Sequence, residues 1–243
     1  MLTAANSINT PLALAIGDLS IIAFFFLLRI GEYTRAPVDP RTKKPKNNAK
    51  RTVQFHVGDI GFFKNGKILP RTSPLNILLS ADEVTLKITN QKNGTMGQVI
   101  HQQATGNASD CPVQAVARRV HHILSNGGSS NNCICDYRAT KTEWRDVQPA
   151  QIRAALNNAV IALDLKSSGM DITLISLHSF RAGGAMALKL NGHNDTTIMK
   201  FGRWKSLTFL QYIHNQIAHI SSGVSKSMST ELKFTNIAAI EPW

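Results

Sequence analysis

Toward the C-terminal end of this chain His178 and Arg181 stand three residues apart, which places them on one face of a helix. They sit in Leu177-His178-Ser179-Phe180-Arg181-Ala182-Gly183-Gly184-Ala185, which is followed by Gly202-Arg203-Trp204-Lys205-Ser206 and then Tyr212. These residue types suit phosphate chemistry. Arginine offers a planar fork of donors to phosphate oxygens, histidine exchanges a proton near neutral pH, and tyrosine carries a nucleophilic oxygen. An H-x-x-R pattern recurs by chance, so its meaning depends on what the rest of the chain can bring to it.

Two upstream cations are the natural partners. Arg29 directly follows the apolar run Leu19 to Leu28, where it needs an anion, either Glu32 or a bound phosphate. Lys92 falls in Asn90-Gln91-Lys92-Asn93-Gly94, the turn between a strand at Val84–Thr89 and a second at Gly97–His101. It is either a solubilising residue or a compact cation carried to a phosphate by a hairpin.

The elements that position these residues are legible in part. Residues 11–34 read as one helix, apolar almost all round and so central to a core. Val53 to Val57 alternates as a half-buried strand does, continuing through Asp59 to Phe63 into an Asn65-Gly66 turn. Asp110 and Pro112 open a helix with Val113, Val116, Val120 and Leu124 on one face; Arg118, Arg119, His121 and His122 fall mostly on the others. Further helices are expected over Gln148–Leu165, His178–Asn191, Asp195–Lys200 and Ser206–Gln216, the last carrying Tyr212. The pair Gly183-Gly184 lowers helix propensity by about 1 kcal/mol per glycine, which implies close approach by another element or by DNA backbone.

Composition narrows the class. The chain has 243 residues, 43% of them apolar, and a net charge of +12. It can bury a core, and its excess of positive charge points to a polyanion, most commonly nucleic acid, with an anionic membrane surface and a ribosomal or structural role as rivals. Arg41, Lys43, Lys44, Lys46, Lys50 and Arg51 form a basic, proline-containing loop. It reads as a track for a DNA backbone, a nuclear-import patch or a merely solvated segment. The run Leu19–Leu28 is too short to span a bilayer, and no signal peptide is convincing. Cys111, Cys133 and Cys135, an odd count without a C-x-x-C pair, argue against a disulfide framework and a zinc site. The expected location is intracellular: the nucleus if the host is eukaryotic, otherwise the cytoplasm.

Taken together, Arg29, Lys92, His178, Arg181 and Tyr212 occur in the order and contexts of a known family. From about residue 11 to 220 the chain resembles the catalytic domain of tyrosine recombinases (phage-type integrases), and most of all their eukaryotic Crypton-like transposon branch. Leu28-Arg29-Ile30-Gly31-Glu32 is similar to that family's first-arginine box, and His178 with Arg181 to its H-x-x-R box. Gly202 to Ser206, with Phe209-Leu210-Gln211-Tyr212-Ile213, is similar to its nucleophile box. Two departures stand out. The place after the box glycine, histidine or tryptophan in the family, is Arg203, so Trp204 is the favoured occupant of the role and Arg203 its rival. The family usually carries an N-terminal clamp domain, and here the resemblance starts at the catalytic domain, so that half is expected to be missing, supplied elsewhere or lost.

The resemblance implies a mostly helical α+β catalytic domain over residues 1–220, with a small antiparallel sheet. Residues 221–243 would form a tail able to dock in trans. It implies a recombinase that joins Tyr212 to a DNA 3′-phosphate, with Arg29 and Arg181 clamping the phosphate oxygens, His178 managing the tyrosine proton and Lys92 protonating the leaving 5′-oxygen. No metal or cofactor is called for. The partners would be double-stranded DNA and further copies of the chain, with no membrane. A catalytically inactive DNA-binding remnant, a type IB topoisomerase and, last, a basic structural protein are the rivals.

Overall fold

The computed structural model describes residues 10–35, 53–89, 97–165, 167, 173, 175–206 and 210. They form a mixed α+β architecture of seven helices with a four-stranded and a two-stranded antiparallel sheet. Lys92, Tyr212 and the basic residues Arg41, Lys43, Lys44, Lys46, Lys50 and Arg51 lie outside the described residues, as does the expected helix Ser206–Gln216 beyond its first residue and Leu210.

Helix α1, Pro11–Phe25, is the centre of the core. Thr10 opens it by accepting from the Ala13 amide (3.2 Å), and Pro11 at the first position needs no amide partner. Every residue from Ala15 to Ala23 is buried, as an all-round apolar helix requires. The one buried acid, Asp18, receives Arg118 at 2.6 Å; burial raises its pKa and Arg118 opposes the rise.

The helix stops earlier than its hydropathy suggests. Leu27 adopts a left-handed conformation (φ 49°), the Leu28 amide donates back to the Ala23 carbonyl (2.9 Å), and the Leu27 amide to Phe24 (3.3 Å). This is a Schellman closure with leucine where glycine is usual. A separate short helix, α2 (Ile30–Tyr33), begins because the Glu32 carboxylate accepts the Arg29 amide at 2.8 Å. The single helix expected over 11–34 is therefore two, joined by the turn Phe26–Arg29.

The main sheet contains β1 (Ile60–Lys64), β2 (Lys67–Leu69), β3 (Glu83–Lys87) and β4 (Val99–Gln103), in the order β2-β1-β3-β4. Phe62 faces Val84 and Leu86 faces Ile100 across its ladders. Their side chains are buried, each stabilising by roughly 1.5–3 kcal/mol. Asn65 and Gly66, both with positive φ (50° and 72°), make the tight β1–β2 turn. Strands β3 and β4 pair as the expected hairpin.

The strand anticipated over Val53–Val57 is replaced by one bridge, His56 to Cys133, and a 3-10 turn at Val57–Asp59. Asp59 captures the His56 amide at 2.9 Å, and that local bond bends the chain out of the extended form. Just before it, the Phe55 amide donates to the Glu32 carbonyl (3.0 Å) and the Phe55 carbonyl accepts from Ile134 (2.9 Å).

A short helix α3 (Leu75–Leu79) precedes β3, and α4 (Pro112–Ser125) packs Val113, Val116, Val120 and Ile123 against the core. Arg119, expected on an outer face, is buried; it donates to the carbonyls of Ile134 (3.1 Å) and Asp136. Asp136 opens a hairpin of β5 (Asp136–Arg138) and β6 (Trp144–Asp146), which the sequence pattern does not announce, and Ile134 lies in the turn just before it. Helices α5 (Pro149–Ala162), α6 (Ser179–Leu190) and α7 (Asp195–Gly202) complete the described chain. No described helix is long and apolar enough to cross a membrane.

Candidate functional site

Helix α6 crosses α1 at Gly184, where an added Cβ would collide with the Leu27 side chain and the Phe24 carbonyl. The glycine lets α6 lie against the end of α1, and so carries Arg181, one turn earlier, into the turn Phe26–Arg29. Arg181 is buried and donates to the carbonyls of Leu27 and Gly202. Its guanidinium carbon stands 4.3 Å from the centre of the Trp204 ring, a cation–π contact. Trp204 in turn occupies the space a side chain on Gly202 would need.

Helix α7 ends as α1 does. Arg203 is left-handed (φ 57°), the Trp204 amide donates to the Met199 carbonyl (3.0 Å) and the Arg203 amide to Lys200 (3.2 Å). The Arg203 side chain turns inward. Its Nη1 donates to the Phe26 carbonyl (3.0 Å), and its Nη2 to the Leu27 carbonyl (3.3 Å) and Glu32 Oε2 (2.8 Å). Glu32 Oε1 accepts from Arg29 Nη1 at 3.2 Å. Two buried guanidinium groups thus cap the carbonyl ends of α1 and α7, where the helix dipoles favour positive charge. Burial lowers the Arg203 pKa, Glu32 opposing it, and its Nε is buried without a hydrogen-bond partner.

The expected site residues are thus distributed as follows. Arg29, Arg181, Arg203 and Trp204 meet at the turn Phe26–Arg29, with Arg29 partly exposed at its edge. Glu32, one of the two anions expected for Arg29, is in contact with it. His178 stands exposed at the N-cap of α6, its amide donating to Ser176 Oγ at 3.2 Å. Arg203 forms an internal ion pair, whereas Trp204 packs against Arg181. The pairing of Glu32 with Arg203 escapes a reading of sequence, although an acid beside so apolar a helix signals a buried partner. Among the tyrosines, Tyr33 and Tyr137 are buried, and desolvation with the Glu32 charge raises the Tyr33 pKa well above its usual value.

A second cluster lies at β5. The ligand-type atoms of Cys133, Cys135 and Asp136 fall within 4.8 Å of one another. The Asp136 carboxylate is committed to donors: Arg35 Nη2 (2.8 Å to Oδ1), Asn132 Nδ2 and the Cys133 amide (both 3.0 Å to Oδ2). Arg35 and Arg119 place two guanidinium groups beside it, an environment made for holding a carboxylate in place.

A scan against protein-family models finds no match to this chain, and a search of curated proteins finds none similar to it.

Proposed function

We propose that the chain is a DNA strand transferase of the tyrosine-recombinase kind, which breaks and rejoins a duplex through a phosphotyrosyl link on Tyr212. The observation that carries this reading is the gathering of distant cations at one turn. Arg181 and Arg203 reach the Leu27 carbonyl from 154 and 176 positions away, beside Arg29. The two described tyrosines are buried, which leaves Tyr212 as the candidate nucleophile.

In this mechanism the Tyr212 oxygen attacks phosphorus and yields its proton to His178 or water. The bond to the 5′-oxygen breaks, and Lys92 protonates that oxygen. Arg29, the partly exposed guanidinium, neutralises the non-bridging oxygens, and Arg181 sets the electrostatics and the placement of Trp204, whose indole N–H donates to the phosphate. The bond energy is retained in the phosphotyrosyl ester, so rejoining needs no nucleotide cofactor. Duplex DNA and further copies of the chain are the proposed partners, with the basic segment Arg41–Arg51 following the DNA backbone.

A specific observation favours a second reading, a DNA-binding remnant without activity: both Nη atoms of Arg181 donate to backbone carbonyls. Incubation with a pool of nicked suicide duplexes of randomised sequence separates the two. A covalent adduct lost in Tyr212→Phe, which still binds DNA, supports the enzyme; binding without adduct in the wild type supports the remnant.

A further inference from the structure

Beside Trp204, on the outer side of α7, lies an open cavity of about 370 Å³. Lys200, Lys205, Gln98, Thr196, Met199 and Trp204 line it, together with Arg203. No carboxylate is among the described lining residues. Lys200, Lys205 and Thr196 are exposed, and none of the ion pairs among the described residues involves Lys200.

A helix C-terminus ordinarily repels anions. Here the carbonyls of Met199 and Lys200 are engaged by the amides of Trp204 and Arg203, and Lys200 and Lys205 both line the cavity beside them. The charged groups among the described lining residues, Lys200, Arg203 and Lys205, are all cationic. The indole and thioether supply an apolar wall, and the Gln98 amide and Thr196 hydroxyl supply donors and acceptors. Cations, one aromatic face and a few hydrogen-bonding groups are what a single nucleotide unit of a strand requires.

We infer that this cavity is a second nucleic-acid subsite, in which Lys200 and Lys205 hold a backbone phosphate adjacent to the one that is cut, its sugar resting on Trp204 and Met199. The inference rests on the strand-transferase reading. Trp204 then forms a partition, with Arg181 on one side and the second phosphate on the other. A strand held at two successive phosphates is fixed in direction as well as position, which in-line attack requires.

Fluorescence anisotropy with a short labelled duplex, titrated at several KCl concentrations, tests this. Lys200→Gln/Lys205→Gln should keep the wild-type melting temperature, bind more weakly, and show a salt slope shallower by about 0.9, one phosphate contact. Lys200→Arg/Lys205→Arg should restore the slope. A double glutamine variant with the wild-type slope and affinity overturns the subsite. If the wild type forms its Tyr212-dependent adduct in that case, the strand-transferase reading stands alone. A wild type that binds no duplex removes both. Inorganic tripolyphosphate serves as the free-anion arm: lysine-dependent thermal stabilisation by it, with unchanged duplex binding, assigns the cavity to a small polyphosphate and overturns the strand assignment.

Discussion

Arg181 and Arg203 donate to one and the same acceptor, the carbonyl oxygen of Leu27. That carbonyl belongs to the left-handed residue that closes α1, so two helices arriving from the far end of the sequence are tied to the point where α1 stops. The geometry of the candidate site and the stability of the fold are therefore written in the same bonds.

The Glu32–Arg203 pair, buried on both sides, should be the most sensitive of these ties. Glu32→Gln leaves a cation buried without its counter-charge, and urea denaturation should show a loss of roughly 3–5 kcal/mol. The double variant Glu32→Gln/Arg203→Met should lose less than the sum of the singles, because the orphaned charge is removed. Strict additivity would contradict a direct pairing.

Adjacent glycines in α6 should respond with opposite signs. Gly184→Ala drives a Cβ into the Phe24 carbonyl and the Leu27 side chain, with an expected cost of about 1–3 kcal/mol. At Gly183 the nearest atom to an added Cβ is Phe24 at 3.5 Å, ordinary contact, so Gly183→Ala should gain up to about 1 kcal/mol of helix propensity. Urea midpoints of the two variants check the crossing of α6 and α1.

His178 is exposed, and its replacement should leave stability within about 0.5 kcal/mol. If it manages the tyrosine proton, His178→Ala should slow adduct formation by about 10²–10⁴-fold in single turnover. A rate equal to that of the wild type would remove it from the chemistry.

His122 provides a pH signature. Burial, with Arg119 and His121 adding to it, draws its pKa down to about 4, and its neutral Nε2 accepts the Arg138 amide at 3.0 Å. Between pH 4 and the usual value near 6.5 the unfolded chain binds the proton and the folded chain does not. Stability is thus fully present above pH 6.5 and falls as pH drops toward 4. The side chain is only half-buried, and solvent screening reduces the effect to about 1–2 kcal/mol. His122→Gln keeps an acceptor without titrating and should flatten the profile measured by thermal unfolding from pH 7 to 4.

Hydropathy alone locates α1, α4, α5 and the β3–β4 hairpin, because each buries a face with its own period. It does not reveal that α1 ends at Phe25. Leu27 and Leu28 are as apolar as what precedes them, and the stop is imposed by Glu32 capturing the Arg29 amide and by arginines arriving from residues 181 and 203. Arg119 reads as a surface residue for a related reason: its acceptors, the carbonyls of Ile134 and Asp136, lie in a turn and at the start of a hairpin whose strands are too short to show a period. Within the candidate site, residue type and order single out Arg29, His178, Arg181 and Trp204. The inward turn of Arg203 depends on a backbone conformation that no pattern of side chains encodes.

Arg35 grips Asp136, and the Phe55 amide closes on the Glu32 carbonyl, so the two roots of the basic stretch between them are fastened together by residues outside it. The described residues on either side thus hold the two ends together whatever lies between them. A foreign segment of twice the length would add only about 0.6 kcal/mol of closure entropy, so a different segment could be spliced there while the described residues keep their contacts.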